Sequence, residues 1–196
     1  LKGKEAFGAR TTQAINKSID WLDRAITLDP NFAEAHAKLA RVYVLQEEYS
    51  TLAKEHSAFR SKTHLDRAIE LEPNNWEVLS DLAWINFSNV SGPTKELVAS
   101  FDQAIAANPN NASAHRGRGL ALSYLGGLEE ALVSYRRVRE LDPKLTIAMI
   151  NTAGILIDLG DLKGAKSLLL EALEIEPDFH LARGNLATLY FDQGDI

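Results

Sequence analysis

The sequence predicts an all-α chain, a solenoid of stacked helix–turn–helix pairs, and three observations predict it. First, five of the six prolines recur at near-constant spacing. Pro30, Pro73, Pro109, Pro143 and Pro177 stand 43, 36, 34 and 34 residues apart. A period of this size marks a repeat array. Second, the flanks recur with the prolines. Five residues before them stand Ala25, Ala68, Ala104, Val138 and Ala172; eight before stand Leu22, Leu65, Phe101, Tyr135 and Leu169. Ten residues after stand Ala40, Ala83, Gly119, Ala153 and Ala187. A small residue lets two helices approach, and a large one opposite fills the gap. Third, apolar residues follow helical spacing, as Ile15, Ile19, Leu22 and Ile26 do.

Each element follows from this frame. Proline lacks an N–H and restricts the residue before it, so each repeat proline ends a helix. The segment 1–30 is degenerate, with a second helix near Thr12–Leu28 and only a remnant of a first in Leu1–Ala9. The unit 31–73 is nine residues too long, with the excess around Glu47–Lys62, between its helices. The unit 74–109 is two too long, with Ser91-Gly92-Pro93 as its turn. The units 110–143 and 144–177 are regular, turning at Gly126-Gly127 and Gly160-Asp161. The stretch 178–196 holds half a repeat, ending on Gly194-Asp195. Together they read as one array over 1–196.

A 34-residue helix–turn–helix with small residues at the crossing and a terminal proline resembles the tetratricopeptide-repeat family. That resemblance implies a right-handed α-solenoid whose first helices line a concave groove for protein or peptide partners. The front half, from Leu1-Lys2-Gly3-Lys4 through Leu28-Asp29-Pro30-Asn31-Phe32-Ala33-Glu34-Ala35, is similar to repeat regions of bacterial CadC-type winged-helix regulators and class III adenylate cyclases. It implies a part of a larger bacterial signalling protein, working in the cytoplasm or the periplasm. A ligand-sensing segment that controls a linked DNA-binding or cyclase domain is the alternative. Family members that capture acidic chaperone tails use a clamp of lysine, arginine and asparagine. The corresponding positions here are Ala37, Arg41, Asp81, Ser113 and Gly117, which do not make that clamp.

Composition bounds the function. The 196 residues are 45% hydrophobic and 24% charged, with a net charge of −6. An acidic balance argues against direct nucleic-acid binding, which needs a basic face. With no cysteine, disulfides, thiolate chemistry and cysteine-ligated zinc are excluded. No apolar run is long enough to span a membrane. No phosphate-cradling, dinucleotide or metalloprotease motif is present. The expectation is therefore a non-enzyme without cofactor, metal site or catalytic residues. His36 and His115 occupy equivalent repeat positions facing the packing seam. His56 and His64 lie eight apart in the lengthened unit, too few ligands for zinc.

Groove positions fall four, seven, eight, eleven and fourteen residues after each proline. The candidate partner-binding residues are Lys38, Arg41, Trp84, Phe87, Arg116, Asn151, Ile157 and Asn185. Trp84 is either an aromatic anchor or a residue that the lengthened unit folds over. Arg41 and Arg116 either favour an acidic peptide or sit on a solvated face. Asn151 and Asn185 either bind a peptide backbone or bond within their helix pair. The final helix, near Leu181–Gln193, carries Leu186, Leu189 and Tyr190 toward a missing successor, so a neighbouring molecule or further chain is expected to cover it.

Overall fold

The computed structural model describes residues 12–49, 54–89, 92 and 94–193. These residues form helices and their connections, with no strand among them: α1 Thr12–Leu28, α2 Ala33–Tyr49, α3 Lys54–Leu71, α4 Trp76–Asn89, α5 Lys95–Ala107, α6 Ala112–Tyr124, α7 Leu128–Leu141, α8 Thr146–Asp158, α9 Leu162–Ile175 and α10 His180–Gln193. Around every repeat proline the backbone breaks alike. The helix stops two residues before it and the next begins three after. The missing proline N–H and the restricted residue ahead of it make that break local and repeatable. The segments 1–9 and 194–195, and residues Ser91 and Pro93, lie outside the described residues.

The nine extra residues of the second unit go mainly into helix. There α2 and α3 run for 17 and 18 residues, against 13 and 14 in α6 and α7. Each gains about one turn of 3.6 residues. The excess expected between the helices, around Glu47–Lys62, thus lies largely within α2 and α3, and residues 50–53 lie outside the described residues.

Contacts divide the chain into two compact units. Unit 1 comprises Leu1–Gly92 with Ala99–Pro109, and unit 2 comprises Pro93–Val98 with Asn110–Ile196. In unit 1, Ala33, Ala37, Ala68 and Val78 pack α2, α3 and α4 together, and Ala40, Val44 and Ile85 continue the seam. In unit 2, Ala131, Tyr135, Val138, Ala148 and Ile155 join α7 to α8, and Met149, Ala153, Leu169, Ala172 and Leu189 join α8 to α9 and α10. The small and large repeat positions are this core: Ala40, Ala68, Ala83, Phe101, Ala104, Val138, Ala153, Leu169 and Ala172 are all fully buried. At the ends the pattern relaxes. Leu22 and Ala25 are half-buried and Ala187 is exposed.

The turns of unit 2 are stamped from one design. Gly126 and Gly160 adopt φ of 81° and 82°, a left-handed conformation that only glycine enters freely. At each, the N–H two residues past the last helical one bonds back: Gly126 to Ser123 and Gly160 to Ile157. The following N–H bonds to Leu122 or to Leu156. These are Schellman closures, which satisfy the last carbonyls of α6 and α8. Asp161 then caps α9 by accepting from the Gly164 N–H at 2.9 Å. A second recurrent device ties each helix end to the loop before its unit. Arg67 donates to Asn31 and Glu70, and Arg137 donates to Asn110 and Glu140.

Gly119 is the one small position that has no room for a methyl. A Cβ there meets Tyr135 Cε2 at 2.9 Å. The ring cannot swing aside freely, because Tyr135 Oη accepts a hydrogen bond from Asn151 Nδ2 at 3.0 Å. Overpacking costs about 1–3 kcal/mol, and alanine returns about 1 kcal/mol of helix propensity. Gly119→Ala is therefore expected to destabilise unit 2 by about 1 kcal/mol in urea unfolding followed by far-ultraviolet dichroism. Adding Tyr135→Leu recreates the alanine–leucine pairing of Ala153 with Leu169 and recovers part of the loss. A stabilised single variant contradicts this account.

Candidate functional site

The groove-phase residues of α2 and α4 meet in unit 1. Lys38 and Arg41 lie three apart on α2, and Glu77, Asp81 and Trp84 are spaced by four and three on α4, so each set shares one helix face. Lys38 Nζ donates to Asp81 Oδ2 at 2.9 Å and sits 3.4 Å from Glu77 Oε2. Arg41 Nη1 donates to Asp81 Oδ1 at 2.9 Å, and its guanidinium lies 4.9 Å from the Trp84 ring. Trp84 also meets Phe87 and Phe101 edge-on, at 5.7 and 5.3 Å between centroids. Its exposure is 7%. The tryptophan therefore packs beneath Arg41 and against α5.

The electrostatics follow from burial. Asp81 is 2% exposed. Burial alone would push its pKa up, but the adjacent Lys38 and Arg41 hold it below the ordinary carboxylate value. Burial likewise works against the charge on Lys38, and Asp81 and Glu77 outweigh it, raising its pKa. Two cations meet two carboxylates, so the positive charge read from Arg41 in the sequence is compensated inside the fold. Asp81 was missed as a groove residue. Its signal was available: it stands eight after Pro73, where Lys38 stands eight after Pro30, so successive repeats carry opposite charges at one position.

Unit 2 arranges its groove positions differently. Asn151 bonds to Tyr135 across α7 and α8. Burial pushes the Tyr135 phenol up to about 12, against the opposing pull of that bond. Arg116 on α6, Ile157 on α8 and Asn185 on α10 are half-buried, and Phe191 on α10 is 71% exposed. Between α7, α8 and α9 lies a largely apolar cleft of about 230 Å³, with Leu132, Met149 and Leu168 in its wall and Arg136 in its lining. Arg139 bonds to both carboxylate oxygens of Glu171 at 2.9 Å, joining α7 to α9.

The histidines divide. His36 is 7% exposed, and its ring meets that of His64 rather than leaving His64 to His56, which is exposed. Among the described residues no three histidine, aspartate or glutamate side chains are placed to hold a metal ion. No described helix is long and apolar enough to cross a membrane.

Comparison with known proteins agrees with this geometry. Two family models, both described as Tetratricopeptide repeat, match residues 98–146 and 148–179. Residues 98–146 and 148–179 carry tetratricopeptide repeats. The fold likeness extends over the whole length: the thermophilic tetratricopeptide-repeat protein TTC0263 of Thermus thermophilus superposes with a TM-score of 0.71, 19% identity, and 96% and 95% of the two chains covered. YrrB, a tetratricopeptide-repeat protein with an unusual peptide-binding site, gives 0.58 at 24% identity over 88% and 84%. Among curated proteins, the transcriptional regulator HilA of Salmonella typhimurium is 27% identical over 150 residues, which cover 76% of this chain. The chain spans about a quarter of that relative, 27% of its length. Neither matching family model is an enzyme family. In tetratricopeptide terms, α2, α4, α6, α8 and α10 are first helices and α3, α5, α7 and α9 are second helices.

Proposed function

We propose that this chain is a protein-interaction module of a larger regulatory protein, and that unit 2 holds a partner peptide on the first-helix faces of α6, α8 and α10. One observation carries the reading. In unit 2 the groove positions remain partly accessible and chemically mixed: Phe191 is 71% exposed, and Asn185, Ile157 and Arg116 are half-buried. In unit 1, Lys38, Arg41 and Trp84 are engaged with Asp81, Phe87 and Phe101. Aromatic and arginine side chains are the residue types that most often anchor a partner. The peptide-binding site in the name of YrrB supports the same assignment.

A screen of extended peptides against the whole chain tests it. Phe191→Ala and Arg116→Ala are each expected to weaken the best peptide by about tenfold or more, the scale of about 1.4 kcal/mol, with little change in unfolding midpoint. Binding unchanged in both variants sinks the groove assignment.

A second reading has the repeats serve a linked DNA-binding or cyclase domain as its regulatory segment, and the likeness to the transcriptional regulator HilA favours the first of these two. Sequencing the flanking chain decides it: a winged-helix or cyclase domain on the same polypeptide supports this reading, and a chain made only of repeats removes it.

A further inference from the structure

We propose that His36 and His64 form a proton-sensitive joint between α2 and α3 of the lengthened unit, closed at neutral pH and released when both imidazoles are protonated. The geometry assigns the protons. His36 Nε2 lies 3.1 Å from the Pro30 carbonyl oxygen. A carbonyl only accepts, so this nitrogen carries the hydrogen. In a neutral ring the other nitrogen is then an acceptor. His36 Nδ1 lies 3.0 Å from His64 Nδ1, so His64 is the donor. The neutral pair is satisfied in one arrangement.

A first proton is compatible with the joint. Placed on His64 Nε2, it leaves the Nδ1–H of His64 pointing at His36. A second proton is not compatible, because it sets one N–H against another at the same 3.0 Å and places two charges on rings 5.2 Å apart. The surroundings weigh the same way. Burial, the neighbouring His36 and the Arg60 guanidinium all lower the pKa of His64, against an opposing pull from Asp23. The charged and titratable groups that act on His64 come from three helices: Asp23 from α1, His36 from α2 and Arg60 from α3 itself. Tyr43 stacks on His64 at 5.9 Å, and Arg60 lies over Tyr43 and donates to its hydroxyl. Tyr43 from α2 and Arg60 from α3 thus brace the joint without supplying a counter-charge.

The linkage has a definite sign. The unfolded chain takes both protons near the ordinary histidine pKa of about 6.5. The fold resists at least one of them. Below that pH the unfolded state binds more protons, so stability falls as pH falls. The contribution is complete above about 6.5 and is lost as the pH drops through the lowered folded value of His64.

The sequence supplies a selective reporter, because all three tryptophans, Trp21, Trp76 and Trp84, lie in unit 1. Urea unfolding of the whole chain followed by tryptophan fluorescence is expected to give a steady folding constant from about pH 8 to 7. Below about 6.5 it should drop by up to tenfold per pH unit for each proton refused. His64→Gln should flatten that profile between about pH 6.5 and 5. A profile already flat in the native chain overturns the joint, and so does the same drop persisting in His64→Gln. Should that variant fail to fold, histidine proton NMR of the native chain decides: two coupled imidazole titrations support the proposal, and five independent curves near about 6.5 overturn it.

Discussion

Replacing Asp81 by asparagine is expected to lower the stability of unit 1 by about 3 kcal/mol. The carboxylate is 2% exposed and accepts from both Lys38 and Arg41 at 2.9 Å. Removing one partner of a buried ion pair costs about 3–5 kcal/mol, because the surviving charges lose their compensation. Here the lower end applies, since the Lys38 and Arg41 side chains keep 25% and 15% of their exposure and part of their hydration. The pH dependence carries the same signature. With its pKa held below the ordinary value, Asp81 contributes stability that is fully present above the unfolded carboxylate pKa of about 3.9 and is lost as pH falls through the folded value. Lys38, whose pKa is raised, contributes stability that is full below about 10.4 and lost as pH rises through its folded value. Tryptophan-detected urea unfolding of Asp81→Asn measures the loss. A change under about 0.5 kcal/mol is what an exposed ion pair gives, and it would refute the buried cluster.

Trp84→Ala is expected to cost as much or more, about 3–5 kcal/mol, the range for emptying a buried aromatic site. Three contacts go with the ring: Arg41 above it and Phe87 and Phe101 at its edges. Trp84→Phe keeps most of the volume and is expected to lose less than half as much. Because Trp84 is itself one of the fluorescent reporters, far-ultraviolet dichroism is the measurement here. Equal losses for alanine and phenylalanine would show that packing is not what holds the ring. A binding defect seen with Trp84→Ala would report a loosened unit 1, so partner tests belong on Arg116 and Phe191.

Much of the fold was legible because its causes are local. A proline acts on its own φ and on the residue before it, so Leu71, Leu141 and Ile175 end their helices two residues before a proline. A glycine at a left-handed turn acts within about five residues, so Gly126 and Gly160 were placed from the sequence. The small and large alternation at Ala153 and Leu169 is a contact between consecutive helices at a fixed offset. The lengthened unit was legible only as an excess of residues. Whether those residues formed loop or helix depended on whether α2 and α3 had partners to extend against.

The candidate site was less legible, because phase names the face of a helix and not what meets it. Lys38, Arg41 and Trp84 were placed by phase, yet phase did not reveal that Asp81 would take both cations. The same holds for His36 and His64, which are 28 residues apart and on different helices. By itself, then, the sequence determined the repeat, its breaks, its turns and the small residues of its core, since each is set by backbone chemistry within one repeat. Only the tertiary structure decided which charges cancel, which aromatic is buried and which imidazoles share a proton. Those outcomes depend on distances between side chains of different helices, and a period in the sequence does not contain them.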